Sequence, residues 1–252
     1  MGGQDSYLQR ASAALELGRK DEAKSWASQA IAQQPDDPEG HVKLAWALLD
    51  DDAGEALESA KRALSLDPNY PRAFDVGAQA ASRSRNKELA VEFATRYREL
   101  RPNMARANRR YGQILYDNGK RRQVVDESVA SIREAIRLDP ENAVTWNELG
   151  RIQADVNQKD EARESFMKAL QVDPNNAFAK TELARLSEGE GDKASALALV
   201  QSVIRLDPTD KFARQQLDNI VVRFMTDLIW VAFLIGVLIF IGLAFALAPL
   251  RG

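Results

Sequence analysis

The chain has 252 residues, with 34 lysines and arginines against 37 aspartates and glutamates, no cysteine and a single histidine, His41. That composition excludes disulfides, thiol nucleophiles and Cys/His zinc sites, and any Ser-His-Asp arrangement would have to use His41. The net charge of −3 is unevenly spread: residues 1–70 carry 7 basic and 13 acidic groups, residues 83–122 carry 12 and 4, and residues 123–222 carry 12 and 18.

Taken from the N-terminus, MGGQDSYLQR has no apolar h-region, so no cleavable secretory signal is expected. Prolines then fall at positions 35, 68, 102, 140, 174 and 208, at intervals of 33, 34, 38, 34 and 34. Four of them follow an aspartate: Asp67-Pro68, Asp139-Pro140, Asp173-Pro174 and Asp207-Pro208. A fixed period near 34 is the mark of a repeat array. The periods lie near 4–36, 37–70, 71–104, 105–142, 143–176 and 177–208.

Each period reads as two short amphipathic helices. In 143–176, Trp146, Leu149, Gly150 and Ile152 form the apolar stripe of the first. Asp160 is expected to cap the second, whose stripe is Ala162, Phe166, Ala169 and Leu170, and Pro174 stops it. Small residues recur in register where helices approach: Ala23, Ala56, Ala90, Ala162 and Ala196 in one phase, and Ala30, Ala63, Ala135 and Ala169 in another. Gly112 and Gly150 mark first helices whose neighbour needs room. The fourth period has four extra residues around 120–128, which predicts a longer second helix there.

Residues 209–222 read as one more amphipathic helix, with Phe212, Leu217, Ile220 and Val221 on its apolar side, capping the last repeat. The run Leu228–Leu250 has no charged side chain, and at about 1.5 Å per residue it is long enough to span a hydrocarbon core of roughly 30 Å. It is expected to be a single transmembrane anchor continuous with the capping helix. Lys211, Arg214 and Arg223 precede it and only Arg251 follows, so the repeats are expected in the cytoplasm, on an inner or plasma membrane if the source is bacterial. Ala232 with Gly236, and Gly242 with Ala246, are small residues four apart that would suit helix pairing in the bilayer.

These periods resemble tetratricopeptide repeats. Trp146, Leu149, Gly150, Ala162, Phe166, Ala169 and Pro174 match the pattern Trp-x2-Leu-Gly-x2-Tyr, Ala-x3-Phe-x2-Ala, Pro at all but the tyrosine. The other periods match mainly at their alanines and prolines. The resemblance covers about residues 4–208 and implies an all-α, right-handed superhelical solenoid of about six helix pairs. It also implies that positions 2, 5, 9 and 12 of each repeat face a concave groove. Those positions are Arg72, Asp75, Gln79 and Ser82; Arg106, Arg109, Gln113 and Tyr116; Val144, Asn147, Arg151 and Ala154; and Phe178, Thr181, Arg185 and Glu188.

Five arginines against two carboxylates predict a basic groove for an acidic or C-terminal peptide segment, with Tyr116 and Asn147 adding orienting hydrogen bonds. Arg106 and Arg110 fall at the spacing of the basic pair in the carboxylate clamp of chaperone-binding members. The rest of that clamp is incomplete, since Val76 stands at one of its asparagine positions.

No catalytic constellation, phosphate loop or metal motif is evident, so no enzyme activity and no cofactor is expected. Asp50, Asp51 and Asp52 read as a helix-capping turn, and His41 as a groove or packing residue. A second reading uses the basic belt of Arg96, Arg98, Arg101, Lys120, Arg121 and Arg122 to hold anionic lipid headgroups. Nucleic acid ranks last, because stacking aromatics and recognised modules are missing.

Overall fold

Local chemistry sets the helix boundaries. At the Asp-Pro turns the aspartate carboxylate accepts from the backbone N–H two residues on: Asp67 from Asn69 at 3.0 Å, Asp173 from Asn175 at 3.0 Å and Asp207 from Thr209 at 2.8 Å. The proline disfavours helical geometry at that aspartate, so the helix before it stops at the residue preceding Asp. Five helices, three of them second helices of a pair, start from another side-chain acceptor: Asp37 accepts from the Glu39 amide, Asp52 from Glu55, Asn86 from Leu89, Asn176 from Ala179 and Asp192 from Ser195. Asp160 is not such a cap. The helix after the turn begins at Lys159 with Gln158 at its N-cap and no side-chain bond, and Asp160 sits in the first turn, where its charge complements the helix dipole. Between paired helices the chain reverses through a left-handed residue, Gly18 at φ 68° and Gly191 at φ 85°, a conformation glycine adopts without steric cost.

A computed structural model describes the backbone of residues 4–247 and the side chains of most of residues 7–238. In chain order the helices are α1 (Gln4–Glu16), α2 (Lys20–Gln33), α3 (Pro38–Leu48), α4 (Ala53–Leu66), α5 (Pro71–Arg83), α6 (Lys87–Leu100), α7 (Ala105–Asn118), α8 (Arg122–Leu138), α9 (Ala143–Asp155), α10 (Lys159–Val172), α11 (Ala177–Gly189), α12 (Lys193–Leu206) and α13 (Lys211–Leu247). No strand occurs among the described residues. The contacts divide the chain into two compact units, Met1–Ile152 and Gln153–Gly252.

In the first unit, α1 packs on α2, α3 on α4, α5 on α6 and α7 on α8. The first helices of successive pairs also touch, α1 with α3, α3 with α5 and α5 with α7, forming one row. The in-register alanines are the contact points: Ala23, Ala56, Ala90 and Ala135 are fully buried and Ala30 nearly so. At Gly112 a Cβ would lie 2.8 Å from the Ser128 carbonyl oxygen and 2.9 Å from Ile132, and the Ser128 hydroxyl donates to the Gly112 carbonyl at 2.5 Å. Gly77, which the repeat pattern does not single out, is as tight against the Phe93 ring at 2.7 Å. The extra residues of the fourth period lengthen α8 to 17 residues, against 14 in α6.

In the second unit, Phe166 is fully buried and meets the Phe178 ring edge-on at 6.2 Å. A cluster of Ala184, Ala196, Val200 and Val203 is closed by Ala213, Leu217 and Ile220 of α13, which therefore caps the last pair. Val221, expected on that apolar side, is 44% exposed, and Phe212 lies outside the described side chains. Glu188 of α11 pairs with Arg223 at 2.7 Å.

Helix α13 continues for 37 residues with no break at 227. Among the described residues no helix is long and apolar enough to cross a membrane. The segment 228–250, where the sequence reading sets a span, lies largely outside the described side chains, as do the two small-residue pairs, and 248–250 lies outside the described backbone.

Candidate peptide-binding site

The first-helix row of the first unit brings Arg72, Asp75 and Gln79 of α5 beside Arg106, Arg109, Arg110 and Gln113 of α7. Asp75 is 3% exposed and holds two guanidiniums, Arg106 Nε on Oδ2 at 2.7 Å and Arg110 Nε on Oδ1 at 2.8 Å. Arg110, 6% exposed, also donates to Gln113 Oε1 at 2.6 Å. Arg106 extends over the Trp46 ring, 5.3 Å from its centroid. Lys43, Trp46, Arg72, Asp75, Tyr97 and Arg106 line a cavity of about 300 Å³.

The groove is less basic than the repeat positions imply. Arg72 pairs with Glu39 at 2.6 Å, Arg151 with Glu148 at 3.0 Å and Asp117 at 3.0 Å, and Arg185 with Glu182 at 2.8 Å. None of these four acids stands at a groove position, which is why the reading by position missed them. Two were visible as Glu-x2-Arg pairs one helical turn apart, Glu148 with Arg151 and Glu182 with Arg185. The others lie one repeat back, so only the period itself reveals them.

Glu39 shows how such a partner settles. Burial pushes its carboxyl up, but the Tyr70 hydroxyl, Lys43 and Arg72 outweigh that and hold it below its ordinary 4.5. Tyr70 is pushed up in turn, by burial and by that carboxylate.

Arg109 differs. It is half-buried on α7 and makes no ion pair or side-chain hydrogen bond among the described residues. Burial, and then the charge of Arg110, lower its pKa, yet a guanidinium starting so high stays charged. Glu148 and Asp75 act on it only from a distance, and a desolvated cation with no carboxylate in contact is the group in this row that a bound carboxylate would relieve most. Gln79 adds a second vacancy, because its Nε2 is buried without an acceptor.

Other expected residues lie elsewhere. Tyr116 is 1% exposed, packed with Ile132 and Leu149. Lys120 and Arg151 sit against its ring faces, 3.1 and 5.1 Å from the centroid. It is a core residue and cannot reach a peptide. Asn147 is buried on α9, whereas Val144 and Phe178 are exposed. His41 Nε2 lies 3.3 Å from the Pro35 carbonyl. Asn108 and Trp146, at the same distance past their own prolines, donate to Pro102 at 2.7 Å and Pro140 at 2.9 Å. His41 thus occupies a turn-clasping position. Asp52 caps α4, and Asp50 binds Lys20 at 2.6 Å and also Arg83.

The basic belt is not one patch. Arg96 bonds Asn69 and Glu99, Arg98 stacks 3.5 Å over the Tyr111 ring, and Arg101 lies in the turn after α6. Lys120, Arg121 and Arg122 follow the far end of α7, whose 14 residues hold them about 20 Å from the Arg101 turn, while Arg98 lies against the middle of that helix.

Two family descriptions match this sequence: "Tetratricopeptide repeat" over residues 5–49, and "Cytochrome c-type biogenesis protein H TPR domain" over residues 120–217. The chain is built of tetratricopeptide repeats. It is similar to the small glutamine-rich tetratricopeptide repeat-containing protein 2 of Mycosarcoma maydis, 29% identical over 93 residues, which are 37% of this chain and a quarter of that relative's length. Among solved structures, the tetratricopeptide array resembles the Cut9–Hcn1 hetero-tetramer of the APC/C, with TM-score 0.72 and 15% identity over 86% of this chain and 42% of that one. It also resembles PilF of Pseudomonas aeruginosa, with TM-score 0.64 and 17% identity over 87% and 97%. At such identities the likeness is one of fold. Tetratricopeptide proteins generally mediate protein–protein interactions.

Proposed function

We propose that this chain is a membrane-tethered scaffold whose row of first helices, α3, α5 and α7, binds a carboxylate-bearing segment of a protein partner. The observation that carries the reading is Arg109: half-buried, charged and unpaired, beside two arginines that share one aspartate. An acidic side chain or a free C-terminus would supply the contacting carboxylate through a forked, charge-assisted contact. The match of residues 120–217 to the cytochrome c-type biogenesis domain supports that assembly process as the setting.

The test uses the full chain in detergent micelles and a fluorescein-labelled decapeptide, Gly/Ser-rich and ending in Asp-Asp with a free carboxylate. Arg109→Glu is expected to weaken binding about 30-fold, near 2 kcal/mol, by fluorescence anisotropy. Equal affinity for the two proteins would show that Arg109 is not the anion site.

The tether is supported by what α13 leaves open. Val222, Met225, Ile229, Trp230, Phe233 and Leu238 each expose half or more of their surface. They point around most of the helix circumference, and a helix apolar on all sides is solvated by lipid, not water. Lys211, Arg214 and Arg223 on the N-terminal side support a cytoplasmic array. A chain ending at Arg223 is expected in the supernatant after alkaline carbonate washing of membranes, with the full chain in the pellet. Release of the full chain by the same wash would refute the tether.

A further inference from the structure

Beside the row of first helices the first unit has a larger cavity, about 690 Å³, where the start of α5, the end of α6 and the turn before α7 meet. Its wall is apolar and aromatic, built by Tyr70, Tyr97, Leu100 and Met104, and its rim carries Arg72 and Arg101. Tyr97 is 3% exposed, and burial pushes its hydroxyl up, so it stays neutral. That hydroxyl reaches the Met104 sulfur at 3.5 Å. Arg101 is exposed and makes no side-chain ion pair among the described residues.

Arg72, Tyr97 and Met104 also line the smaller cavity between α3, α5 and α7. The two spaces therefore share one wall, made of a rigid ring and a flexible thioether that can shift to admit a side chain. A cavity of this volume with a few convergent polar groups is of ligand-binding size.

We infer that the Tyr70–Tyr97–Leu100–Met104 cavity is a side-chain pocket for the same bound segment, taking a large aromatic or aliphatic residue next to a carboxylate. Charge complementarity selects the occupant: Arg101 at the mouth, with no side-chain ion pair among the described residues, favours an acidic neighbour, and the rings of Tyr70 and Tyr97 with Leu100 and Met104 favour a large apolar side chain. Continuity with the groove runs through Arg72, which lines both spaces, and Arg106, which lines the smaller one. The inference rests on the groove reading and sharpens it from "acidic" to "acidic with an apolar anchor".

The experiment uses three labelled decapeptides, identical except for Phe, Leu or Ala upstream of the terminal Asp-Asp, with the full chain in micelles. The Phe and Leu peptides are expected to bind at least about tenfold more tightly than Ala, the effect of burying one large side chain. Asn103→Trp, at an exposed turn position on the cavity lining, should fill the space without disturbing the core. It is expected to erase the Phe-over-Ala difference. Equal binding of all three peptides to the wild type, or a Phe preference that survives Asn103→Trp, overturns the pocket. A Phe preference that persists in Arg109→Glu at undiminished affinity overturns the groove reading and keeps the pocket. No binding by any peptide overturns both.

Discussion

Replacing Asp75 with alanine is expected to lower the unfolding free energy by about 3–5 kcal/mol, the usual effect of stranding a buried charge. Arg110 would be that charge: its side chain is 7% exposed, and its other recorded partner is the neutral Gln113. Arg106 gives the internal contrast, because it binds the same carboxylate from a side chain 48% exposed. Its loss in Arg106→Ala is expected to cost only about 0–1 kcal/mol. Asp75→Ala combined with Arg110→Met should recover most of the deficit, since an apolar chain of similar reach needs no counter-ion. Urea denaturation followed by circular dichroism measures all four proteins. If Asp75→Ala melts with the wild type, or if Arg106→Ala costs as much as Asp75→Ala, burial is not what makes this aspartate matter.

Gly112→Val is expected to cost about 3 kcal/mol, at the upper end for overpacking a helix contact. The first carbon would meet the Ser128 carbonyl oxygen at 2.8 Å, a backbone atom that cannot swing aside as a flexible side chain would. Relief requires α7 and α8 to separate, which breaks the Ser128 hydroxyl bond to the Gly112 carbonyl and opens the seat of the fully buried Ile132. Gly54→Val serves as control, because the only atom near its Cβ is an oxygen of the Asp52 side chain. A shift in urea midpoint no larger for Gly112→Val than for Gly54→Val would mean that the helix pair tolerates spreading.

The helix pairs were legible because their determinants are local or periodic. Asp-Pro turns, alanines in register and the four added residues of the fourth period all act within one repeat or its image 34 residues away. The expected cap at Asp160 failed by two residues, since a carboxylate in a first helical turn serves the dipole as readily as the cap. The groove was only half legible. Positions 2, 5, 9 and 12 pick out Arg72, Arg106, Arg109 and Arg151, which stand on α5, α7 and α9, but a position list carries no information about counter-charges. Glu39 and Asp117 neutralise two of these arginines from the preceding repeat, so the surplus visible in sequence is mostly spent inside the fold. Tyr116 failed for another reason: its ring is large enough to complete the core between α7 and α9, and burial outweighs presentation of one hydroxyl. Arg109 emerges only by elimination, once every other arginine of the row has a recorded partner.

The ion pairs that join one first helix to the next share an orientation. Arg72 reaches back to Glu39, Arg83 to Asp50, Arg106 and Arg110 to Asp75, Arg151 to Asp117, and in the second unit Arg223 to Glu188, always an arginine grasping an acid some 31 to 35 positions earlier. The third and fourth periods carry both halves, an arginine for the period before and an acid for the period after. The acids do not stand at one position: Glu39 opens α3 and Asp50 follows it, Asp75 lies early in α5, and Asp117 lies at the end of α7. A second α5 set behind the first would find Ala73 and Ser84 where its arginines need Glu39 and Asp50. Each of these joints is thus addressed to its own neighbour, and the charges between the helices write down the order in which the repeats must stand.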